Sequence, residues 1–356
     1  MNDLELLAGN LIVCGFHGLD APETVHRWLA DGSVAGLILF KRNISGVEQT
    51  RDLIASCTSA CDPANPILVC VDQEGGRVAR LGAPVLQLPP MRALAAVGDS
   101  RLTRDAGFVL GQQLRAIGFN LDFAPVLDVD TNPANPIIGD RAFGRTTDAV
   151  IEHALAFADG LHAGGVLSCG KHFPGHGDTH QDSHEELPTL PHDLDRLNDV
   201  ELPPFRASVG RVASVMTAHI LFEALDPNVP ATMSKAAVEE LLRQNVGFDG
   251  PVFSDDLEMD AVTDNYENDE AGVLAVEAGC DLLLVCSDLE AAAKLRETLA
   301  KEAEKSEAFA ARLRDARTRA DALRRSVLDL PSPGPLKNAL ESPEARAVEQ
   351  RLGRIA

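Results

Sequence analysis

The sequence predicts a (β/α)8 TIM-type barrel, a single α/β domain with helices appended at its C-terminal end. Three observations carry this. Eight short apolar runs recur along 356 residues, each followed by Gly or polar residues and then by a helical pattern. The runs are continuous rather than alternating, which marks strands buried on both faces, as in a parallel sheet. Charged and imidazole side chains gather just after the runs, at the carboxyl ends of the strands. Barrels and open α/β sheets alike carry their ligands at that end.

The runs in order are NLIVCGFHG (10–18), AGLILFKRN (35–43), PILVCVDQEGG (66–76) and NLDFAPVLDVD (120–130). They continue with GGVLSCGKH (164–172), ASVMTAHI (213–220), GPVFSDD (250–256) and CDLLLVCSD (280–288). Eight strands alternating with helices favour a closed barrel over an open doubly wound sheet. Between them, TRDAGFVLGQQLRAIG and SKAAVEELLRQNVG read as helices, the second with Ser234 as N-cap and Gly247 as its stop. Beyond residue 289 the chain is charged, with apolar positions recurring at three and four residues. That spacing predicts one or two amphipathic helices completing the outer layer. The PSPGP segment (331–335) breaks the pattern, so the expected division is a barrel domain over 1–330 and a helical tail over 331–356.

Composition narrows the class. Domains typically run about 100–200 residues, but barrels reach roughly 250 and grow by insertion, so one large domain is expected. Lys plus Arg number 32 against 54 Asp plus Glu, a formal charge of −22. That field repels nucleic acid and anionic membrane surfaces, and neither is expected as a partner. Seven cysteines, most of them in apolar runs, read as buried thiols of a reducing compartment rather than a disulfide frame. The N-terminus has acidic leading residues, Gly9 and Asn10 within its apolar stretch, and no small-residue cleavage site, unlike a secretory signal. A cytoplasmic protein is expected.

Chemistry concentrates in KHFPGHGDTHQDSHEELP (171–188). His172, His176, His180 and His184 recur every four residues, but Pro174, Gly175 and Gly177 forbid a regular helix there, which weakens a metal reading. No His-Glu-x-x-His or Cys/His zinc pattern is present. His180, Asp178 and Gln181 read equally as a solvated loop. Lys171 and His172 continue directly from a buried strand into the ligand face. Asp182 and His184 form a carboxylate–imidazole pair of the kind that fixes a tautomer and raises basicity. In VFSDDLEM, Asp255 or Asp256 stands at a strand end, where it could attack an anomeric carbon or cap the next helix. In VDQEGGRVARLG, Asp72 and Glu74 could accept sugar hydroxyls and Arg77 and Arg80 could pair with carboxylates, or all four could form a surface ion network. Arg141 and Arg145 in GDRAFGR pose the same choice.

The run Lys-His-Phe-Pro-Gly-His-Gly, four residues, then Asp-Ser-His resembles the signature of the family-3 glycoside hydrolases. Within them it resembles the bacterial β-N-acetylhexosaminidases of peptidoglycan recycling. GLILFKRN, VDQEGGRVARL, GDRAFG, PATMS and GPVFSDDLEM agree in order and spacing, so the resemblance runs from about residue 10 to about 290. It implies a barrel and a retaining two-step hydrolysis. It implies Asp255 as nucleophile, His184 as acid/base and Asp182 as its partner. By the same resemblance Asp72, Arg80, Arg141, Lys171 and His172 hold the sugar at the cleavage site. The implied substrate is a small amino-sugar or muropeptide in which N-acetylglucosamine is linked to anhydro-N-acetylmuramic acid, and no metal or organic cofactor is implied.

Retaining glycosidases usually employ two carboxylates; an imidazole as acid/base departs from that template, although a His paired with Asp can titrate near neutrality. A glycine-rich loop that carries His184 in and out of the site is a further expectation. Rival readings are a β-glucosidase, a phosphorylase in which His184 admits phosphate in place of water, and a catalytically silent sugar-binding protein. The β-glucosidase relatives generally lack the PGHG…DSH loop and carry a second sandwich-like domain, for which no room is expected here. The silent reading conflicts with an intact Asp182, His184 and Asp255 set. A monomer is expected.

Overall fold

The computed structural model describes residues 2–59, 61–180 and 187–355. The strands are β1 (Ile12–Cys14), β2 (Gly36–Ile38), β3 (Leu68–Val71), β4 (Leu121–Asp122), β5 (Leu167–Phe173) and β6 (Thr189–Leu190), followed by β7 (Ser214–Thr217), β8 (Leu221–Phe222), β9 (Val252–Asp256) and β10 (Leu282–Val285). Eight of them close into a barrel in the order β1-β10-β9-β7-β5-β4-β3-β2. Every neighbouring pair in it is parallel. This is the (β/α)8 barrel that the apolar runs predict, one strand from each run. The short strands β6 and β8 pair with each other outside the barrel; their two-residue length leaves no periodic signal to read.

β4 is shorter than its apolar run. Pro125 has no N–H for the ladder, so the regular strand ends at Asp122, but the chain stays bonded beside β5 as far as Leu127. Cys169 N donates to the Ala124 carbonyl at 2.9 Å, Lys171 N to that of Pro125 at 3.2 Å, and Leu127 N to that of Lys171 at 2.6 Å. There Val126 makes one isolated parallel bridge to Lys171 on β5. This excursion brings Asp128 and Asp130, both buried, to the ligand face.

The helices lie outside the strands. The segment predicted with Ser234 and Gly247 at its ends is a helix over Ala236–Val246. Ser234 Oγ accepts from Ala237 N at 3.3 Å, and Gly247 ends the helix at φ 83°. The charged C-terminal region is two helices, Leu289–Lys305 and Glu307–Ser326, with Ser306 capping the second through Phe309 N. Arg324 in the second is buried and donates to Asn10 Oδ1 at 2.9 Å, which ties that helix to the entrance of β1. After the PSPGP break, short helices over Leu336–Leu340 and Pro343–Leu352 follow. Among the described residues no helix is long and apolar enough to cross a membrane. All seven cysteines are free and six are buried, as the apolar settings predict.

Two long helices, Ser100–Ile117 and Thr147–Gly164, pack with their backbones almost touching. A Cβ on Gly160 would stand 2.2 Å from the Arg104 carbonyl oxygen, and one on Gly107 2.5 Å from that of Phe157. Backbone atoms cannot step aside as a side-chain end can, so Gly160→Ala must push the helices apart. Expected is a loss of about 1–3 kcal/mol, measured by urea unfolding, with the Gly32→Ala change excluded as a control because its φ of 72° adds its own strain.

Candidate active site

The carboxyl ends of the strands surround a cavity of about 290 Å³, at the small end of ligand pockets. Its floor is apolar, with Ile38 from β2, Met216 from β7, Leu284 from β10, and Phe123 just past β4. Phe123 meets Phe253 edge-to-face with ring centroids 5.2 Å apart. The walls are polar: Asp72, Glu74, Arg80, Arg141, Lys171, His172, His176, Asp255 and Asp256 all line the same space. An apolar floor beneath convergent donors and acceptors suits a pyranose, which has apolar C–H faces and a rim of hydroxyls.

The turn after β3 delivers two carboxylates. Gln73 turns its side chain back so that its Oε1 accepts from Arg80 N at 2.8 Å and Leu81 N at 3.0 Å. That returns Arg80 to Asp72, where Nη2 meets Oδ2 at 3.2 Å. Gly75 sits at φ 115° in this turn, where a Cβ would be 2.5 Å from Met91 Cε. Only glycine fits both constraints.

Lys171 on β5 is buried and reaches Asp72 Oδ1 at 2.8 Å and Glu74 Oε1 at 2.6 Å. Arg141 grips Glu74 through two parallel bonds, Nε to Oε2 at 2.9 Å and Nη2 to Oε1 at 2.8 Å. Burial pushes the Asp72 carboxyl up, but Lys171 and then Arg80 overcome it and leave it below the usual range. Glu74 is held well below its ordinary value in the same way, by Arg141 and then Lys171. Burial draws the two cations down, and their carboxylates more than restore them, so both stay protonated. Glu74 lines the cavity but its side chain is only 2% exposed against 13% for Asp72, with both oxygens held by Arg141 and Lys171, so it chiefly orients those cations.

His172 donates from Nδ1 to Asp128 Oδ2 at 2.7 Å, which turns Nε2 towards Arg141 Nη2, 3.4 Å away. Asp128 also accepts from the His176 amide at 2.6 Å. Burial, then His172, brings the His176 ring down to about 4, so it is neutral. The Pro-Gly half of the loop, 173–179, is thus mostly buried and bonded. Asn135 Nδ2 donates to the His176 carbonyl at 2.8 Å, Thr131 Oγ1 to Asp178 Oδ1 at 2.7 Å, and Asn132 Nδ2 to the Thr179 carbonyl at 2.9 Å. A Cβ on Gly177 would sit 1.9 Å from the Val129 carbonyl oxygen. Gly175 and Gly177 are closely packed in this half of the loop; the expectation that the loop carries His184 in and out of the site concerns a residue outside the described ones. Asp178 is engaged rather than solvated, while His180 is exposed. Asp182 and His184 lie outside the described residues.

Asp255 is the penultimate residue of β9 and lines the cavity. Its Oδ1 accepts from Asp256 N at 2.8 Å. The Asp256 carboxyl accepts from the Glu258 and Cys286 amides, at 3.1 and 3.3 Å. Burial raises it to about 7. Both aspartates line the cavity, and Asp256 in addition serves the turn through its Oδ1. Arg77 pairs with Asp140 at 3.6 Å and Arg145 with Asp130 at 3.3 Å, both as half-exposed cations in ion networks. Among the described residues no group of three or more His, Cys, Asp or Glu is arranged to hold a metal.

Asp128 and the orienting role of Glu74 escaped sequence reasoning. The extra aspartates of VLDVD, at the end of an apolar run, were the available signal. Asp122 on β4 was also missed. It is fully buried, with Oδ1 accepting from Gln73 N at 2.9 Å.

This geometry is that of a sugar-processing barrel, and the comparisons agree. The Glycosyl hydrolase family 3 N terminal domain profile matches residues 4–322, and the chain belongs to that family. It is a beta-hexosaminidase-type glycoside hydrolase. A beta-hexosaminidase from Idiomarina loihiensis is 37% identical over 266 residues, 74% of this chain and 79% of the relative. A glycoside hydrolase family 3 beta-N-acetylglucosaminidase from Paenibacillus sp. str. FPU-7 superposes with TM-score 0.92 at 38% identity, over 100% of this chain and 69% of that one. NagZ from Neisseria gonorrhoeae, solved with N-trifluoroacetyl-D-glucosamine, gives 0.81 at 31% identity, over 97% and 98% of the two chains.

Removing the Glu74 charge leaves buried Arg141 without its carboxylate and Lys171 with Asp72 alone. Glu74→Gln is expected to cost about 3–5 kcal/mol in denaturant unfolding and to raise KM without Glu74 touching the sugar; an unchanged KM would contradict its orienting role. Asp122 gives a pH prediction. Burial raises its carboxyl from 3.8 to about 8. Between those values the folded chain keeps a proton that the unfolded chain releases. Its contribution to stability therefore falls as pH rises from about 4 to about 8. Asp122→Asn should flatten that fall in thermal unfolding measured at steps of pH.

Proposed function

We propose that the enzyme is a retaining β-N-acetylhexosaminidase that removes terminal N-acetylglucosamine from peptidoglycan fragments in the cytoplasm. The fragment class is N-acetylglucosamine linked to 1,6-anhydro-N-acetylmuramic acid, with or without its peptide. One observation carries the reading: Asp255 lines the same small cavity as Asp72, Arg80, Arg141, Lys171 and His172. Those five bind the sugar in this reading, presenting two carboxylate oxygens' worth of acceptors from Asp72 and a rim of fixed donors. The cytoplasmic site is supported by the seven free thiols, which persist in reducing compartments.

In the first step a carboxylate oxygen of Asp255 bonds to the anomeric carbon as the bond to the leaving oxygen breaks. Protonated His184 gives its proton to that oxygen. In the second step water attacks the same carbon, the bond to Asp255 breaks, and His184 takes the water's proton. Asp182 orients the His184 ring and stabilises its charged form before the first step and after the second. Two inversions at one carbon retain its configuration. No step calls on a metal or an organic cofactor, and a monomer suffices.

Trapping with a slow 2-acetamido sugar substrate followed by peptide mapping tests this directly. A label on the peptide holding Asp255 is expected; a label elsewhere removes it as nucleophile. Asp255→Asn should lower turnover by roughly 10³-fold or more, with N-acetylglucosamine binding retained. His184→Ala should cost about 10²–10⁴-fold on poor leaving groups and much less on activated aryl glycosides. Equal product formation with and without phosphate, and activity that survives chelation, are the results expected of a metal-independent hydrolase.

A further inference from the structure

The Thr-Ala-His segment that ends β7 and the PATMS segment (230–234) are far apart in the chain and meet behind the nucleophile's strand. Thr217 Oγ1 donates to Thr232 Oγ1 at 2.9 Å, Thr232 Oγ1 lies 3.0 Å from His219 Nδ1, and His219 Nε2 lies 3.0 Å from the Asp256 carbonyl oxygen. All three side chains are buried. A carbonyl oxygen only accepts, so Nε2 carries the ring proton. In the neutral ring Nδ1 then accepts, and the Thr232 hydroxyl is the donor that meets it. Burial holds His219 below the ordinary imidazole range against the opposing pull of Asp255, which agrees with a neutral ring. The Thr232 hydroxyl also lies 3.0 Å from the Ala218 carbonyl oxygen and that of Thr217 3.3 Å from the Phe253 carbonyl oxygen, so the bond whose direction the chemistry fixes is the one from His219 Nε2 to the Asp256 carbonyl.

Asp256 is where this relay reaches the reacting group. Its carbonyl is anchored by His219, and its amide donates to Asp255 Oδ1 at 2.8 Å. Its own carboxylate is tied to the Glu258 and Cys286 amides. With the residue held at both ends, its N–H has one direction, towards Asp255. Among the described residues no hydrogen bond engages Asp255 Oδ2. One oxygen of the nucleophile is thereby fixed and the other left available.

We propose that His219 is a positioning residue: through the Asp256 backbone it sets the angle of the Asp255 carboxylate, so that a single oxygen is presented to the anomeric carbon. The proposal rests on Asp255 being the nucleophile. His219 does not touch the sugar and does not exchange a proton in the reaction. Its effect belongs to the glycosylation step, where attack geometry matters, and not to sugar affinity, which Asp72, Arg80, Arg141, Lys171 and His172 govern. Misplacement of a reacting group by about 1 Å can cost on the order of 10²-fold, the scale to be expected here.

The experiment measures the rate of glycosyl-enzyme formation with an aryl 2-acetamido-2-deoxy-β-glucoside and the inhibition constant of N-acetylglucosamine. The variants are His219→Ala, His219→Gln, His219→Asn, Thr232→Val and Asp255→Asn in the full chain. His219→Ala is expected to slow glycosylation roughly 10–100-fold while leaving the inhibition constant within about threefold. Gln, whose amide nitrogen reaches the place of Nε2 and donates to the Asp256 carbonyl, should recover most of the loss; Asn, which reaches only the place of Nδ1, should not. Thr232→Val removes the hydroxyl that meets His219 Nδ1 and should show a smaller loss in the same step, and it carries the test if His219→Ala does not fold. An unchanged glycosylation rate, a matching loss of sugar affinity, or equal behaviour of Gln and Asn overturns the proposal. If Asp255→Asn still forms the intermediate, the nucleophile reading fails and the proposal with it. Inactive Asp255→Asn beside unaffected His219 variants overturns the role of His219 alone.

Discussion

A buried ammonium group organises the ligand end of this barrel. Lys171 projects from β5 into the cavity and is met by Asp72 and Glu74 at 2.8 and 2.6 Å. Taking an ammonium and two carboxylates out of water costs several kcal/mol per ion, so none of the three could stand there alone. Glu74 is secured in turn by the two-point grip of Arg141, and Asp72 by Arg80. The result is a rigid charge lattice that joins the ends of β3 and β5 to the 139–141 turn. Its outward-facing donors and acceptors are held in place before any sugar arrives, which spares the ordering cost at binding.

The loop that leaves β4 at Pro125 is the second support. Asp128 orients His172 by one oxygen and caps the His176 amide with the other. Thr131, Asn132 and Asn135 hold the backbone and side chains of 176–179. The histidine-rich segment is therefore built on a neighbouring loop rather than standing free, and its glycines permit that contact. Asp178 also lies 2.8 Å from His192, which links the two flanks of the segment bearing Asp182 and His184. At β9 Asp255 and Asp256 both line the cavity, and Asp256 also fastens the turn through the Glu258 and Cys286 amides.

Much of the architecture could be read from residue order. Eight continuous apolar runs specify eight doubly buried strands, because only a parallel sheet covered on both faces tolerates them. Polar residues directly after the runs specify the ligand end. The run 120–130 reads as one long strand because its apolar pattern persists; the regular strand stops at Asp122, yet the bonds to β5 continue irregularly through Leu127 around Pro125. The breaker was visible, but how the chain would stay bonded around it was not.

What the sequence alone determined is thus the barrel and its active end, while the family resemblance named Asp72, Arg80, Arg141, Lys171, His172 and Asp255, which the structure brings around one cavity. Tertiary structure decided their pairing. Lys171 and Asp72 are 99 positions apart and Thr217 and Thr232 are 15 apart, and no local pattern says which of several carboxylates or hydroxyls will be the partner. Nor does it separate Glu74, enclosed by cations, from Asp72, which keeps an edge towards the cavity. Those assignments depend on distance and burial across strands, which exist only once the barrel has closed.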